Sequence, residues 1–489
     1  MKLLCLKSLT VVYVLHTFRV FKQKVGSLPL RLRFTALVVS CVLMLNMIDT
    51  IILGIALPVI SKDFGSSPVT LSLTLSIYLI AQAIFTPISG WAADKFGSKT
   101  VFLLATGGFL IASLLCGLSN SATQLILARL FQGVTAALTL PVARIVLLKS
   151  SPKEMLVQAM VWLTGPALVG PLVAPPLGGF LVTYASWRWI FWINIPISLI
   201  GFVLAIFFFQ NFKRDDTPSF DWSGFWLIGL GSLGFTTGLI AVTDTSKHNY
   251  LFAGVIVLSL ILFFTYFNHA KRTDNPIIDL TLFRNASFRA SVTGGAIFRI
   301  GIGAGPFLLP MMLQDVLGKS AFAASMLLLL LAVGALAIGK FIPMILRYLG
   351  FRGALIPNTL LVSLSFCSYG FFYPSTPLWI ICAILLLGGV VRSIQFNVLN
   401  TIGFTELTES QMSPANSLAS MSQFLARTLG VSIGAFMIQI SLNFNGRAHL
   451  TQLDFTIAFV VIGAIMLLAL VEFYRLPPHA GSEASGHNR

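Results

Sequence analysis

The chain has 489 residues, 56% of them hydrophobic and only 10% charged, with a mean hydropathy of +0.89. That composition excludes a soluble protein of this size and defines one that crosses a lipid bilayer several times. A net charge of +16 would suggest a nucleic-acid partner in a soluble chain, but here the Lys and Arg residues follow the connections between apolar runs and read as topology, so no nucleic acid is expected. Lipid offers no hydrogen bonds to an open backbone, and long unbroken apolar runs select helices over a barrel; the fold class expected is all-α. The five cysteines, Cys5, Cys41, Cys116, Cys367 and Cys382, show no CxxC or CxxH spacing, so neither a disulfide framework nor a metal site is indicated.

The first thirty residues hold a run, SLTVVYVLHTF, too short to span, followed by Arg19, Lys22 and Lys24; residues 1–30 read as a basic interfacial segment or an over-long start, not a cleaved signal peptide. Apolar runs of about twenty residues then predict spans at 35–60, 71–93, 100–119, 122–147, 156–183, 189–210, 223–243, 250–268, 290–313, 321–345, 353–373, 377–399, 416–441 and 455–474, fourteen in all. An even count puts both termini on one side. Alternate loops carry bases such as Lys95, Lys99, Lys149, Lys153, Arg347 and Arg352, whereas the opposite loops hold only Lys62, Arg188, Lys247, Lys319 and Arg447, so both termini are expected in the cytoplasm. The longest internal connection, HAKRTDNPIIDLTLFRNASFR, divides the chain into eight spans and six; two halves of six with an inserted pair give the same total.

Within the spans, the first carries one carboxylate, Asp49, near its middle, while the other Asp and Glu residues fall in loops or at span ends. Between spans 2 and 3, GWAADKFGSKT contains Gly90, Asp94, Lys95, Gly97 and Lys99; the glycines permit a tight turn and the Asp can pair with bases on a neighbouring helix. In span 4, RLFQGVTAALTLP sets Arg129, Gln132, Gly133, Ala136 and Ala137 on one helical face. A guanidinium is costly in hydrocarbon, so that face must look into the bundle or a wet cavity. Span 5, GPALVGPLVAPPLGG, spaces Gly170, Ala174 and Gly178 four apart beside Pro171 and Pro175, and ends in Gly179. Such residues serve tight packing and kinking whether or not they have a further role. Span 13 places Asn416, Ser420, Gln423, Arg427 and Gly434 on one stripe, which lines either a cavity or a helix contact. No Walker GxxxxGK[ST], HExxH or nucleotide-sized soluble domain is present, so ATP-driven pumping and enzymatic activity are not expected.

The loop resembles the signature G-x-L-a-D-r-x-G-r-[KR] of the major facilitator superfamily, with Ala92 in place of Leu and Ser98 in place of a base. The span 4 run resembles that superfamily's R-x-x-Q-G-x-x-x-A motif, associated there with proton coupling. Span 5 resembles its antiporter motif G-P-x-x-G-G, with Ala174 where Gly is usual. WRWIFWINIPI, NPIIDLTLFRNASFR, IDTIILGIALP and ARTLGVSIG are similar to the 14-span drug:proton antiporter branch, and PVARIVLL and GAGPFLLPMMLQ bring the chain closer to the MdtD and HsrA type within it. The resemblance implies two six-helix bundles (31–212 and 289–475), an inserted helix pair (213–270), a cytoplasmic linker (271–288) and a cytoplasmic tail (476–489). It further implies proton-coupled export of small organic compounds across the inner membrane by alternating access, powered by the proton gradient with no cofactor. A non-transporting sensor or assembly protein on the same scaffold, and a metabolite importer, are the alternatives; no motif specifies an accessory efflux partner.

Asp49 and Arg129 would carry proton coupling. Hydrocarbon disfavours a charged carboxylate and a nearby guanidinium favours it, so modest rearrangement could switch the group. Residue counts from the outer face put the two roughly 6 Å apart in depth at 1.5 Å per residue, which permits pairing; a static pair joining spans 1 and 4 is the bland alternative. The spans also hold six bases, Arg129, Arg144, Arg299, Lys340, Arg392 and Arg427, against that one acid. A cavity lined by half of these would repel lipophilic cations, so a neutral or anionic substrate is expected, with Arg299, Gln132, Gln423 and Arg427 as candidate contacts. Arg299 lies near Gly303 and Pro306, where the helix could open; snorkelling of Arg144, Lys340 and Arg392 to the interface would instead leave the cavity nearly neutral.

Overall fold

The computed structural model describes residues 29–152, 155–214, 219–241, 249–273, 276–445 and 450–487. All of the basic segment 1–30 except its last two residues, together with Lys153, Lys247 and Arg447, lies outside the described residues. Every regular element among the described residues is helical. In chain order these are α1 Leu30–Phe64, α2 Pro68–Phe96, α3 Ser98–Leu118, α4 Ala122–Ser150, α5 Leu156–Tyr184, α6 Trp189–Phe208, α7 Trp222–Ala241 and α8 Asn249–Ala270. There follow α9 Ala286–Val316, α10 Ala321–Ile338, α11 Ile342–Tyr369, α12 Leu378–Ile402, α13 Glu409–Asn445 and α14 Gln452–Tyr474. Each expected span overlaps one of these helices. Eleven helical runs among the described residues are by themselves long and apolar enough to cross a membrane; one of them, Ala321–Tyr369, is 49 residues long and is broken at Gly350, where φ is +66°.

Local chemistry sets the helix ends. Ser67, Ser121 and Ser320 accept the first free backbone N–H groups of α2, α4 and α10, and Thr451 with Asp454 forms a capping box at the start of α14. These side chains satisfy donors that lipid or a thin interface would leave open. Such caps allow connections of a few residues, which hold consecutive helices side by side.

Because the helices are apolar on nearly every side, small and polar residues decide which faces meet. In the first half α1 packs on α5 and α2 on α4; in the second α9 packs on α13 and α10 on α12; α7 and α8 pair with each other, and α7 leans on α2 and α13. The most extensive contacts between the halves are α1 with α9, α2 with α13 and α5 with α10. At the first, a Cβ on Gly54 would lie 2.0 Å from the Pro306 carbonyl oxygen, and one on Gly303 would lie 2.0 Å from that of Arg427. The Gly303–Pro306 stretch, expected from sequence to open, is therefore clamped between α13 and α1. The irregular backbone of α9 lies at its two ends instead, as π-helical turns Ala290–Gly294 and Met312–Val316.

Polar links across the halves gather near the ends that the charge pattern assigns to the outer face. Lys62 Nζ lies 3.3 Å from Asp315 Oδ1, the Gln314 amide donates to the Ile55 carbonyl at 3.0 Å, and the Phe322 N–H donates to Thr183 Oγ1 at 3.1 Å. Gly54→Val should force α1 off α9 here, since the obstructing atom is backbone and cannot rotate away. The expected result is faster modification, by an impermeant thiol reagent added outside, of a cysteine placed at Gln314, which is half-buried at this contact; an unchanged rate would contradict it.

Candidate functional site

Five helices of the first half converge on Asp49. It is 3% exposed and Arg129 is 0% exposed, so neither charge meets solvent. The spacing of three puts Arg129 and Gln132 on one face of α4, and Arg129 Nη1 donates both to Asp49 Oδ2 and to Gln132 Oε1, each at 2.6 Å. The second carboxylate oxygen accepts from Asn194 Nδ2 of α6 at 3.1 Å and lies at the limit of reach, 3.5 Å, from Gln132 Nε2. That amide's stronger bond is to Ser113 Oγ of α3, at 3.0 Å. Cys116 Sγ donates to Gln132 Oε1 at 3.6 Å. From α2 come the Thr74 carbonyl, which accepts from Arg129 Nε at 3.3 Å, and the Tyr78 ring, whose centroid is 4.0 Å from the guanidinium carbon.

A buried pair of this kind is held as much by its hydrogen bonds as by its charges, since each ion has given up water. Here the carboxylate has amide donors besides its counter-ion, and the guanidinium has a carbonyl, an amide oxygen and an aromatic face. Two groups remain unpaired, Arg129 Nη2 and Asn194 Oδ1. The carboxylate thus has three side-chain donors within reach, and the guanidinium has acceptors other than Asp49. Tyr78, Thr74, Ser113 and Asn194 were not singled out from sequence, and Cys116 only as one of five cysteines without disulfide or metal spacing; only Asn194, a lone amide inside WINIPI, left a signal.

The loop residues lie at the opposite end, the one that the charge pattern assigns to the cytoplasm, and tie to their own half. Asp94 Oδ1 is 3.3 Å from Lys149 Nζ and the Asp94 carbonyl accepts from Arg214 N at 2.9 Å. Lys95 stands 4.7 Å from the Trp91 ring centroid, and Lys99 donates from its backbone to Asn211 Oδ1 and from Nζ to the Ile206 carbonyl. Gly97 turns between α2 and α3 with φ at +96°, and Gly90 has open space beside it. Ser98, where the signature has a base, accepts from Phe212 N and donates its own N–H to the Phe212 carbonyl, so it anchors the strip between α6 and α7.

In α5, which includes Pro171 and Pro175, Gly170 faces Met44 and Met47 of α1, Gly178 faces Ile52 of α1, and Gly179 abuts Ser325 and Phe322 of α10. The motif thus seats α5 against both α1 and the other half. Arg299, Gln423 and Arg427 do not join the Asp49 network. Arg299 is buried on α9, donating to Asn400 Oδ1 at 2.7 Å and to the Ser291 carbonyl at 3.4 Å, while Gln423 and Arg427 are half-buried one turn apart on α13.

A helical bundle that buries one acid–base pair in each other's reach, with glycine-lined contacts between two halves, has the build of a membrane transporter. Residues 39–431 match the Major Facilitator Superfamily, and the chain belongs to that family. It is 32% identical over 452 residues to "Putative multidrug resistance protein MdtD" of Pectobacterium atrosepticum, covering 92% of this chain and 97% of that one. The protein of the same name from Escherichia coli is 32% identical over 458 residues, covering 92% and 96%. A solved D-xylose–proton symporter shares the fold with a TM-score of 0.65 at 15% identity, covering 92% of this chain and 98% of its own.

Proposed function

We infer that the protein exports small organic compounds from the cytoplasm across the inner membrane in exchange for protons, its two halves alternating access to a site between them. The observation that carries this reading is the Asp49 network: a mid-span carboxylate, buried with a guanidinium and two amides, is the group in the first half suited to take up and release a proton. The multidrug-resistance name borne by the relatives supports export of organic compounds. Both termini lie in the cytoplasm on the distribution of bases. The cross-half links of Lys62, Gln314 and Phe322 support a conformation closed at that end.

Protein-dependent acidification or alkalinisation of proteoliposomes on adding substrate tests the coupling. Flux towards the side corresponding to the periplasm separates export from import, and a sensor would move neither proton nor substrate. In the same assay Asp94→Ala should slow turnover with little change in apparent substrate affinity. Loss of the Lys149 pair, 3.3 Å apart, loosens a cytoplasmic brace without touching the interior, and exposed pairs contribute at most about 1 kcal/mol. Unchanged turnover with weakened affinity would contradict that assignment.

A further inference from the structure

Four helices of the first half leave a small cavity beside the Asp49 network. Its volume is about 20 Å³, and its wall includes Asn46 of α1, Thr106 and Phe109 of α3, Ala136 and Thr139 of α4, and Ser198 of α6. Asn46 precedes Asp49 by three residues and Phe109 precedes Ser113 by four, while Ala136 follows Gln132 and Ser198 follows Asn194 by four. On each helix the cavity is thus displaced from the network by one turn, roughly 5 Å. The direction is the same in all four, towards the side that the charge pattern assigns to the cytoplasm, because α1 and α3 run outwards and α4 and α6 inwards.

A purely apolar cavity stays dry, whereas one with polar partners and at least about 10–15 Å³ of room holds a water. Thr106 is 2% exposed, yet its hydroxyl has no hydrogen-bond partner. The Asn46 amide and the Ser198 hydroxyl have none among the described residues either. Hydroxyls inside a helix ordinarily donate to a carbonyl one turn back, as Thr135 and Thr139 do here. Two that do not, with an amide, around one cavity point to a small ligand that both donates and accepts. Asn194 faces the network with one end only: its Nδ2 donates to Asp49 Oδ1, and its Oδ1 is buried without a donor. We propose that this cavity is a hydration site, held by Asn46, Thr106 and Ser198, through which the proton of Asp49 passes to the cytoplasmic side. When Asp49 releases its proton the O–H bond breaks, the electron pair stays on the carboxylate beside Arg129, and a water oxygen takes the proton and hands it to the next water. Beyond the cavity Val39, Leu43, Phe102 and Val142 form an apolar layer. Asn46 is half-buried on the helix that meets the other half, so exchange with bulk water runs past Asn46. The site itself stands on geometry; its use as a relay rests on the reading of Asp49 as the proton carrier.

The first test is X-ray hydroxyl-radical footprinting of the full-length protein, in which a bound water becomes a radical that oxidises the side chains it touches. Phe109, on the cavity wall, should be oxidised, and Phe102, buried off the cavity, should not. Ala136→Val, which puts two methyl groups into the space, should abolish the label on Phe109. In proteoliposomes Thr106→Val and Ser198→Ala should each slow proton-driven transport by about tenfold or more, with counterflow exchange and apparent substrate affinity unchanged, and Thr106→Ser should restore the rate. A purely structural role for these hydroxyls would move exchange and driven transport together. Phe109 no more oxidised than Phe102 in the wild type, or driven transport in Thr106→Val equal to wild type, overturns the proposal. If Thr106→Val does not fold, the wild-type footprint and Ser198→Ala decide it. A footprint at Phe109 with coupling intact in Asp49→Asn leaves the hydration site standing and removes the reading of Asp49; coupling lost in Asp49→Asn with no footprint at Phe109 does the reverse.

Discussion

Asp49→Asn is expected to abolish proton-driven transport while leaving the protein inserted and near its normal abundance. The substitution keeps shape and one acceptor oxygen, and Arg129 retains Gln132 Oε1, the Thr74 carbonyl and the Tyr78 ring. What disappears is the capacity to bind a proton. Facilitated exchange of substrate down its own gradient should survive, because the helices that rock are unchanged. Counterflow of labelled substrate therefore separates lost coupling from lost binding: exchange at the wild-type rate with no response to a pH gradient is the expected pattern, and active efflux driven by that gradient would remove Asp49 from its assigned role.

Arg129→Ala should have the larger effect on the protein itself, lowering abundance as well as activity. Breaking a buried pair by removing one partner costs about 3–5 kcal/mol, comparable to much of the stability of a folded domain. Here the stranded carboxylate would keep only its amide donors, Asn194 at 3.1 Å and Gln132 at 3.5 Å, and the Tyr78 ring would face a void. Combining Arg129→Gln with Asp49→Asn removes both charges and should recover abundance without recovering coupled transport. Thermal unfolding in detergent, read beside transport, checks this; a double variant no more stable than Arg129→Ala would show that packing, not charge, holds α1 to α4.

The parts of this site that were legible in the sequence are those where one residue violates its surroundings. A lone acid within IDTIILGIALP and an arginine with a glutamine three residues on stand out because hydrocarbon penalises them, and depth counting placed them within reach. The carbonyl of Thr74 and the ring of Tyr78 could not stand out, since backbone and aromatic groups are ordinary in a span, and which face of an all-round apolar helix turns inward leaves no periodic trace. Gly54 failed for the same reason: a glycine needed for the approach of another helix looks like any other until the partner's carbonyl is in place. Gly303 and Pro306 read in sequence as a place where the helix could open, and composition does not show that the Arg427 backbone and Gly54 pack against them. The Asp94–Lys149 brace was half legible, an acid among bases beside a helix end, but its partner on α4 came only from the fold. Ser98, which departs from the family signature, holds Phe212 by two bonds, its hydroxyl accepting from the Phe212 N–H and its own N–H donating to the Phe212 carbonyl.

Proton movement measured against substrate movement tests the central claim most directly. Full-length protein, reconstituted with a pH-sensitive dye inside the vesicles and no imposed gradient, would be given a substrate gradient. The account predicts proton flux opposite in direction to substrate flux, saturable in substrate and absent from Asp49→Asn even though that variant still exchanges substrate. Substrate flux with no proton movement in the wild-type protein, or proton flux that persists undiminished in Asp49→Asn, would contradict it.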